Sequence, residues 1–304
     1  MSDRAISPAV PPARRAVAPR VLRRSAAARK SRYSTIKIWL GAVCAGIVII
    51  PVALARVLPL PDPVRGVLSE SSLPPLSPGH LLGTDPNGRD LLSRILHGGQ
   101  TSLVIGLLAI VLSGFIGIVA GAAAGYFGGW VDTVISRLLE AQMSLPLLLM
   151  LLLVVALFGP SVPVITLVIA VAQWPEPARL TRALVLVERE KPYVAAAQVL
   201  GLGRLTIIAR HIIPNILSQT LVVVFLLLAQ AVLLESALSF LGAGVQRPYP
   251  TWGGIIADGR ELFVTGAWWL VTIPGIAIAL LVLGVNLLGD GLRDRVRRAK
   301  AVTG

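Results

Sequence analysis

Residues 141–175 run for 35 positions without an Asp, Glu, Lys or Arg. No ordinary water-soluble core needs an uncharged stretch of that length. It also exceeds the roughly 20 apolar residues that cross a ~30 Å hydrocarbon layer once. Gly159-Pro-Ser-Val-Pro163 divides it, because glycine and proline punctuate helices. The stretch therefore reads as two spans, the second continuing past Pro175 towards Arg179. Residues 38–55, 101–126, 212–240 and 265–289 supply four more apolar runs. The expectation is an all-α membrane protein with six transmembrane helices.

Composition agrees. The chain has 304 residues, of which 55% are hydrophobic and 14% charged, against about 25% charged in soluble proteins. The lone Cys44 lies inside an apolar run, which excludes a disulfide framework and a cysteine metal site. His80, His97 and His211 are too scattered for a ligand cluster, so no metal is expected. The net charge of +13 does not point to nucleic acid, because the basic residues flank the apolar runs. With the N-terminus inside, 22 of the 28 Lys and Arg fall on the inner side. That bias places both termini in the cytoplasm.

The first 35 residues are rich in Arg, Ala and Pro and lack apolar periodicity, which reads as a disordered basic tail. Such a tail can attract anionic lipid headgroups or simply enforce topology. Residues 36–100 hold the first span and an outer loop, 101–290 the other five spans, and 291–304 a second basic tail. In the outer loop, Asp85-Pro-Asn-Gly88 supplies turn residues and Asp90 suits a helix N-terminus.

Residues 192–203 form the most informative cytoplasmic segment. Pro192 suits a first helical turn. Tyr193, Ala196, Ala197 and Leu200 recur at i, i+3, i+4 and i+7, which predicts one apolar face. Gly201 is placed to end the helix in a left-handed conformation, and Gly203 allows a second change of direction. Two readings of this short helix are open, an amphipathic helix lying on lipid or a docking surface. Its alanine-rich face would bind lipid weakly and would let a protein approach closely.

Here the sequence resembles a known family. Ala195-Ala-Ala197, Gly201 and Ile212-Ile-Pro214 are similar to the EAA loop of ABC importer permeases, with Ala195 where that loop usually carries Glu. His80-Leu-Leu-Gly83-Thr84-Asp85 with Gly88-Arg89-Asp90 resembles the outer-loop signature of the C-type permease subunits of dipeptide, oligopeptide and nickel importers (DppC/OppC type). Leu238-Ser-Phe-Leu-Gly-Ala-Gly244 with Thr251-Trp-Gly253, and Pro274-Gly275, resemble further parts of it. The resemblance implies a type I importer (MetI-like) fold and a heterodimer with a second, B-type permease subunit. It implies two cytoplasmic ATPases, separate or fused, that carry ATP and Mg, and an external substrate-binding protein. Pro192, Tyr193, Ala195, Ala196, Ala197, Leu200, Gly201 and Gly203 would form the ATPase-coupling element. The cargo implied is di- or oligopeptides, with nickel chelates or glutathione-like molecules as alternatives.

Glu235 is an acid deep in the fifth span, read either as a pathway or gate residue or as a hydrogen bond between helices. Trp174, where the fourth span bends, either anchors at the interface or lines the pathway. Glu176-Pro177 beside it is unusual for the family. The chain contains no Gly-Lys dipeptide, and so no Walker A loop, and it has no H-E-x-x-H or G-x-S-x-G. It is expected to bind no cofactor and to catalyse nothing itself. A stand-alone secondary transporter would show internal repeats, and an intramembrane hydrolase a nucleophile–base pair. Neither is visible.

Overall fold

The computed structural model describes the backbone of residues 20–303 and the side chains of residues 33–296. In chain order the helices are α1 Arg20–Leu54, α2 Leu91–Phe127, α3 Gly129–Met143, α4 Leu147–Phe158, α5 Val162–Gln173 and α6 Pro175–Glu188. There follow α7 Pro192–Val199, α8 Arg204–Ile207, α9 Ile213–Phe240, α10 Trp252–Phe263 and α11 Trp269–Thr303. A π-helical turn, Ile208–Ile212, joins α8 to α9. Among the described residues the only β pairing is two isolated bridges, Ser77 with His80 and Thr84 with Asp90.

The helix starting at Arg20 corrects one expectation. Residues 20–35, read as part of an irregular tail, are helical, in keeping with the strong helix propensity of Ala, Arg and Leu. The rest of that tail, residues 1–19, lies outside the described residues.

Among the described residues, four helical segments are long and apolar enough to cross a membrane: Tyr33–Leu54, Leu91–Phe127, Arg204–Phe240 and Trp269–Val296. A fifth appears if α3 and α4, bent by 91°, count as one. The expected fourth span is a composite. At 12 residues α5 is only about 18 Å long. It reaches spanning length only by running on into α6, which carries Glu176, Arg179, Arg182 and Glu188. Apolarity therefore supports four or five spans rather than a clear six.

The break between α5 and α6 has a covalent cause. Pro175 has no N–H to donate to the carbonyl of Val171, which would be its partner in an unbroken helix. Gln142 fills the gap: its amide Nε2 donates to Val171 O at 2.6 Å, and its Oε1 accepts from Trp174 Nε1 at 2.7 Å.

The main core gathers residues of α1, α2, α4, α5, α9, α10 and α11, such as Val52, Ile105, Leu151, Ile169, Leu227, Trp252 and Leu281. Along α2, Gly117, Gly121 and Gly125 form a small-residue stripe against α6. A Cβ at Gly117 would sit 2.7 Å from Pro177 Cγ, and one at Gly125 2.9 Å from Arg182 O. Larger residues there would push α6 away. Arg182 also clamps α3 through two bonds to Asp132, at 2.5 and 2.6 Å.

Candidate functional site: a two-faced helix and a capped opposite end

The segment between α6 and α9 folds as a compact staple. α7 starts at Pro192 and ends at Val199. Gly201 has φ +77°, in the left-handed region. The N–H of Gly201 donates to Gln198 O at 3.0 Å and that of Leu202 to Ala197 O at 3.2 Å. These are the paired bonds of a Schellman C-cap. Gly203 is extended, with φ −62°, and caps α8. Any residue can adopt that conformation, so the second change of direction does not depend on glycine.

The expected apolar face needs correction. The buried side of α7 is Val194 and Ala197, with Tyr193 half-buried, whereas Ala196 and Leu200 point outward. Val194 and Ala197 pack with Ala122 of α2, Val185 of α6 and Ile207, Ile208, Ile212 and Ile216. The outward side, Pro192, Ala195, Ala196, Val199 and Leu200, is exposed. Val199 is 88% and Leu200 80% exposed, so α7 is apolar on both faces. The sequence pattern merged the two because alanine occurs on each.

Polar bonds fix the staple to its neighbours. The Tyr193 hydroxyl donates to Glu188 Oε1 at 2.8 Å. Burial raises its pKa above the ordinary phenol value, so it stays protonated and able to donate. Asn215 Nδ2 donates to Tyr193 Oη at 3.1 Å and to His211 O at 2.8 Å. Glu188, only 7% exposed at its side chain, also pairs with Lys191 at 2.8 Å. Periodicity could find the helix but not these ties, since Glu188, His211 and Asn215 come together only in the fold.

At the opposite end of α2, the residues of the outer-loop signature are mostly buried. Asp85 Oδ1 accepts the backbone N–H groups of Asn87 at 2.8 Å and Arg89 at 3.0 Å. Its Oδ2 accepts Arg89 Nε and Arg94 Nη1, both at 2.6 Å. Asp258 of α10 takes Arg94 Nη2 at 3.2 Å and Arg247 Nη2 at 2.5 Å. Two carboxylates thus tie three guanidinium groups from three separate segments. Gly83 and Gly88 have φ +82° and +69°. Thr84 Oγ1 accepts from Leu73 N at 2.8 Å. Asp90 caps α2 by accepting Ser93 N at 2.7 Å, and it meets His80 Nδ1 at 2.9 Å. Asp258, Arg247 and helix α10 were absent from the sequence reading. Thr251, which accepts Gly254 N at 3.1 Å, was the available helix-start signal.

Glu235 joins this end from within. It is fully buried and accepts from Ser102 Oγ of α2 and Ser239 Oγ, each at 2.8 Å. These two bonds are those of the second of its two readings, with the Ser102 bond crossing from α9 to α2. Trp174 is half-buried with its indole turned to Gln142. Its neighbours Gln173 and Pro175, not Trp174 itself, line a cleft there. No group of His, Cys, Asp and Glu among the described residues could hold a metal ion.

Comparison with known proteins places this arrangement. Residues 117–301 match the model of the binding-protein-dependent transport system inner membrane component family. The chain is 42% identical to the di/tripeptide transport system permease protein of Pseudomonas aeruginosa over 214 residues, 70% of each chain. It is 40% identical to the dipeptide transport system permease protein of Haemophilus influenzae over 238 residues, 77% of this chain and 80% of that one. It is 37% identical to its Bacillus subtilis counterpart over 231 residues, 76% and 72% of the two chains. Taken with the helical core and the staple between α6 and α9, these likenesses show that the chain belongs to the family of inner membrane components of binding-protein-dependent transport systems.

Proposed function

We propose that this chain is one of two permease subunits of an ATP-driven importer that carries di- or oligopeptides inward by alternating access. The observation that carries the reading is the two-faced helix α7. One face is locked to α2, α6 and the start of α9, and the other exposes Ala195, Ala196, Val199 and Leu200. A helix so placed can sit in a partner's groove and pass its movement to three long helices at once. In this reading α7 and both termini are cytoplasmic, and the Asp85 end faces the substrate-binding protein. ATP and Mg bind the partner ATPases, which supply the energy this chain has no phosphate-cradling loop to capture. Closure of the ATPase pair would favour one arrangement of the helices over the other, which is coupling by differential interaction with two states. The peptide cargo rests on the likeness, at about two-fifths identity, to di/tripeptide and dipeptide transport permeases.

The test is reconstitution of the chain with its second permease, ATPases and binding protein in proteoliposomes. Labelled alanyl-alanine should accumulate only with ATP and binding protein present. Uptake by the isolated chain, or uptake indifferent to ATP, would overturn the reading.

A further inference from the structure

The break between α5 and α6 opens a cleft of about 450 Å³, walled by the α3–α4 turn, the α5–α6 junction and the facing side of α9. Four of its residues have hydrogen-bonding capacity left over. Gln173 is only 5% exposed, yet both its amide Oε1 and Nε2 lack a partner. Buried amides are nearly always bonded, so a buried amide left open points to something that completes it. Gln230, facing it from α9, is exposed to the cleft. Glu176 and Arg179 are also exposed there, and neither has an ion-pair or hydrogen-bond partner among the described residues. Gln142, by contrast, is fully used in holding the broken helix together.

The position matters as much as the chemistry. Gln230 lies ten residues before Phe240, the end of α9, or about 15 Å along the helix. It falls inside Arg204–Phe240, one of the segments long and apolar enough to cross a membrane. Irregular backbone and charge at this depth are tolerated where they line a cavity. Glu176 and Arg179 are three apart on one helix, which sets their Cβ atoms about 5–6 Å apart. A dipeptide is about 7 Å long from end to end at ~3.5 Å per residue. It carries an ammonium at one end, a carboxylate at the other and a peptide group between.

We infer that this cleft is a mid-membrane station for a short zwitterionic peptide. Glu176 receives the ammonium, Arg179 the carboxylate, and Gln173 and Gln230 the peptide group. The inference rests on the importer reading above and adds to it the residues that meet the cargo. An amide side chain both donates and accepts, so it matches any peptide group whatever the neighbouring side chains. Contacts confined to termini and backbone would admit peptides of many sequences. They would disfavour cargo that lacks either charge. Glu176, which has no partner elsewhere among the described residues, acquires a purpose: Pro175 breaks the helix and the acid stands in the opening.

The experiment uses the whole complex with its binding protein in proteoliposomes. Glu176→Gln and Arg179→Gln should each lower alanyl-alanine uptake at least fivefold at equal amounts of assembled complex, while Arg179→Lys, which keeps the charge, should retain at least half. A second measurement covers loss of uptake from misfolding. In a Cys44→Ala background, Leu234→Cys puts a thiol on the cleft wall without touching the four binding side chains. Its maleimide labelling should slow at least threefold when ATP and alanyl-alanine-loaded binding protein are added, and not with peptide-free binding protein. Adding Glu176→Gln should abolish that protection. Unchanged uptake in both charge variants, or protection that survives Glu176→Gln, would overturn the inference. So would a thiol labelled in the isolated chain but never in the complex, which would mean that the second permease covers the cleft. If the wild-type complex takes up no alanyl-alanine, the peptide-importer reading fails and takes this inference with it. If the wild type transports and the variants match it, only the cleft assignment fails.

Discussion

The two ends of α2 are built on opposite principles. At the Asp85 end the polar groups are turned inward and bonded to each other: Asp85, Arg89 and Arg94 are each at most 5% exposed. At the α7 end the apolar groups are turned outward, with Val199 and Leu200 more than three-quarters exposed. Hydrophobic burial is thus complete on one side of α7 and forgone on the other. A buried charge network holds one arrangement, because movement breaks its charge-assisted bonds, even though Arg89 Nη2 and Arg94 Nε lack hydrogen-bond partners in it. An open apolar face on a helix tied to three others is suited to being moved from outside. The contrast teaches that the Asp85 loop spends its charges on internal bonds, whereas the plainer alanine-rich helix leaves one apolar face open.

The hardest way to break this comparison is to remove the centre of the cap. Asp85→Ala would leave Arg89 and Arg94 buried with Asp258 as the remaining nearby acid. Breaking a buried ion pair by removing one partner costs about 3–5 kcal/mol. The expected outcome is a large drop in the thermal unfolding midpoint of the purified complex in detergent. Asp62→Ala is the control. Its ion pair with Arg65 is exposed, at 48% and 89%, and its loss should cost under about 1 kcal/mol. Equal midpoints for the two variants would show that the cap is no strut.

Next in size is Gly201→Val. A Cβ there meets nothing within 4 Å, so crowding is not the cost. The left-handed φ is, at about 1–2 kcal/mol for a branched residue. The C-cap of α7 should fray, and co-purification of the ATPase should fall while membrane insertion stays normal. Leu200→Glu should do less to stability, within about 0.5 kcal/mol because the side chain is exposed. It should still weaken ATPase retention, since a charge would enter the proposed groove. Full retention in both variants would remove α7 as the coupling element.

How much was legible beforehand follows the range of the interactions involved. The long apolar runs, the Gly201 cap, the Asp90 cap and the break near Trp174 are local, set by residues within a few positions of each other, and sequence pattern finds them. The face of α7 was misassigned because small residues sit on both sides, and periodicity cannot say which side a distant helix covers. The network joining Arg94 to Asp258 spans 164 positions, and no local signal reports it. The six-span count failed to emerge clearly for another reason. The breaks near Pro160 and Pro175 were anticipated, but the 91° bend between α3 and α4 near Pro146 was not, and it leaves α4 and α5 at 12 residues each, too short to span alone.

The smallest expected effect sharpens the cap rather than breaking it. His80 is nearly buried between Asp90 and Glu70, at 2.9 and 3.2 Å. The hydrogen bond to Asp90 is the main cause that raises its pKa, working against burial, and the bond to Glu70 adds to it. A raised folded-state pKa means that the protonated imidazolium is held more tightly in the folded chain than in the unfolded one. Its contribution is therefore fully present below the unfolded value of about 6.5 and is lost as pH climbs through the higher folded value. Glu70 is nearly half exposed, so solvent screening keeps the effect below about 1 kcal/mol. Thermal midpoints of the wild type and His80→Gln, measured from pH 6 to pH 9, should therefore differ most at the acid end and converge as His80 loses its proton. Asp90 would still cap α2 through Ser93, so the helix start should survive at both extremes. A difference that grows with pH would mean that the neutral imidazole, not the cation, is the form the cap was built around.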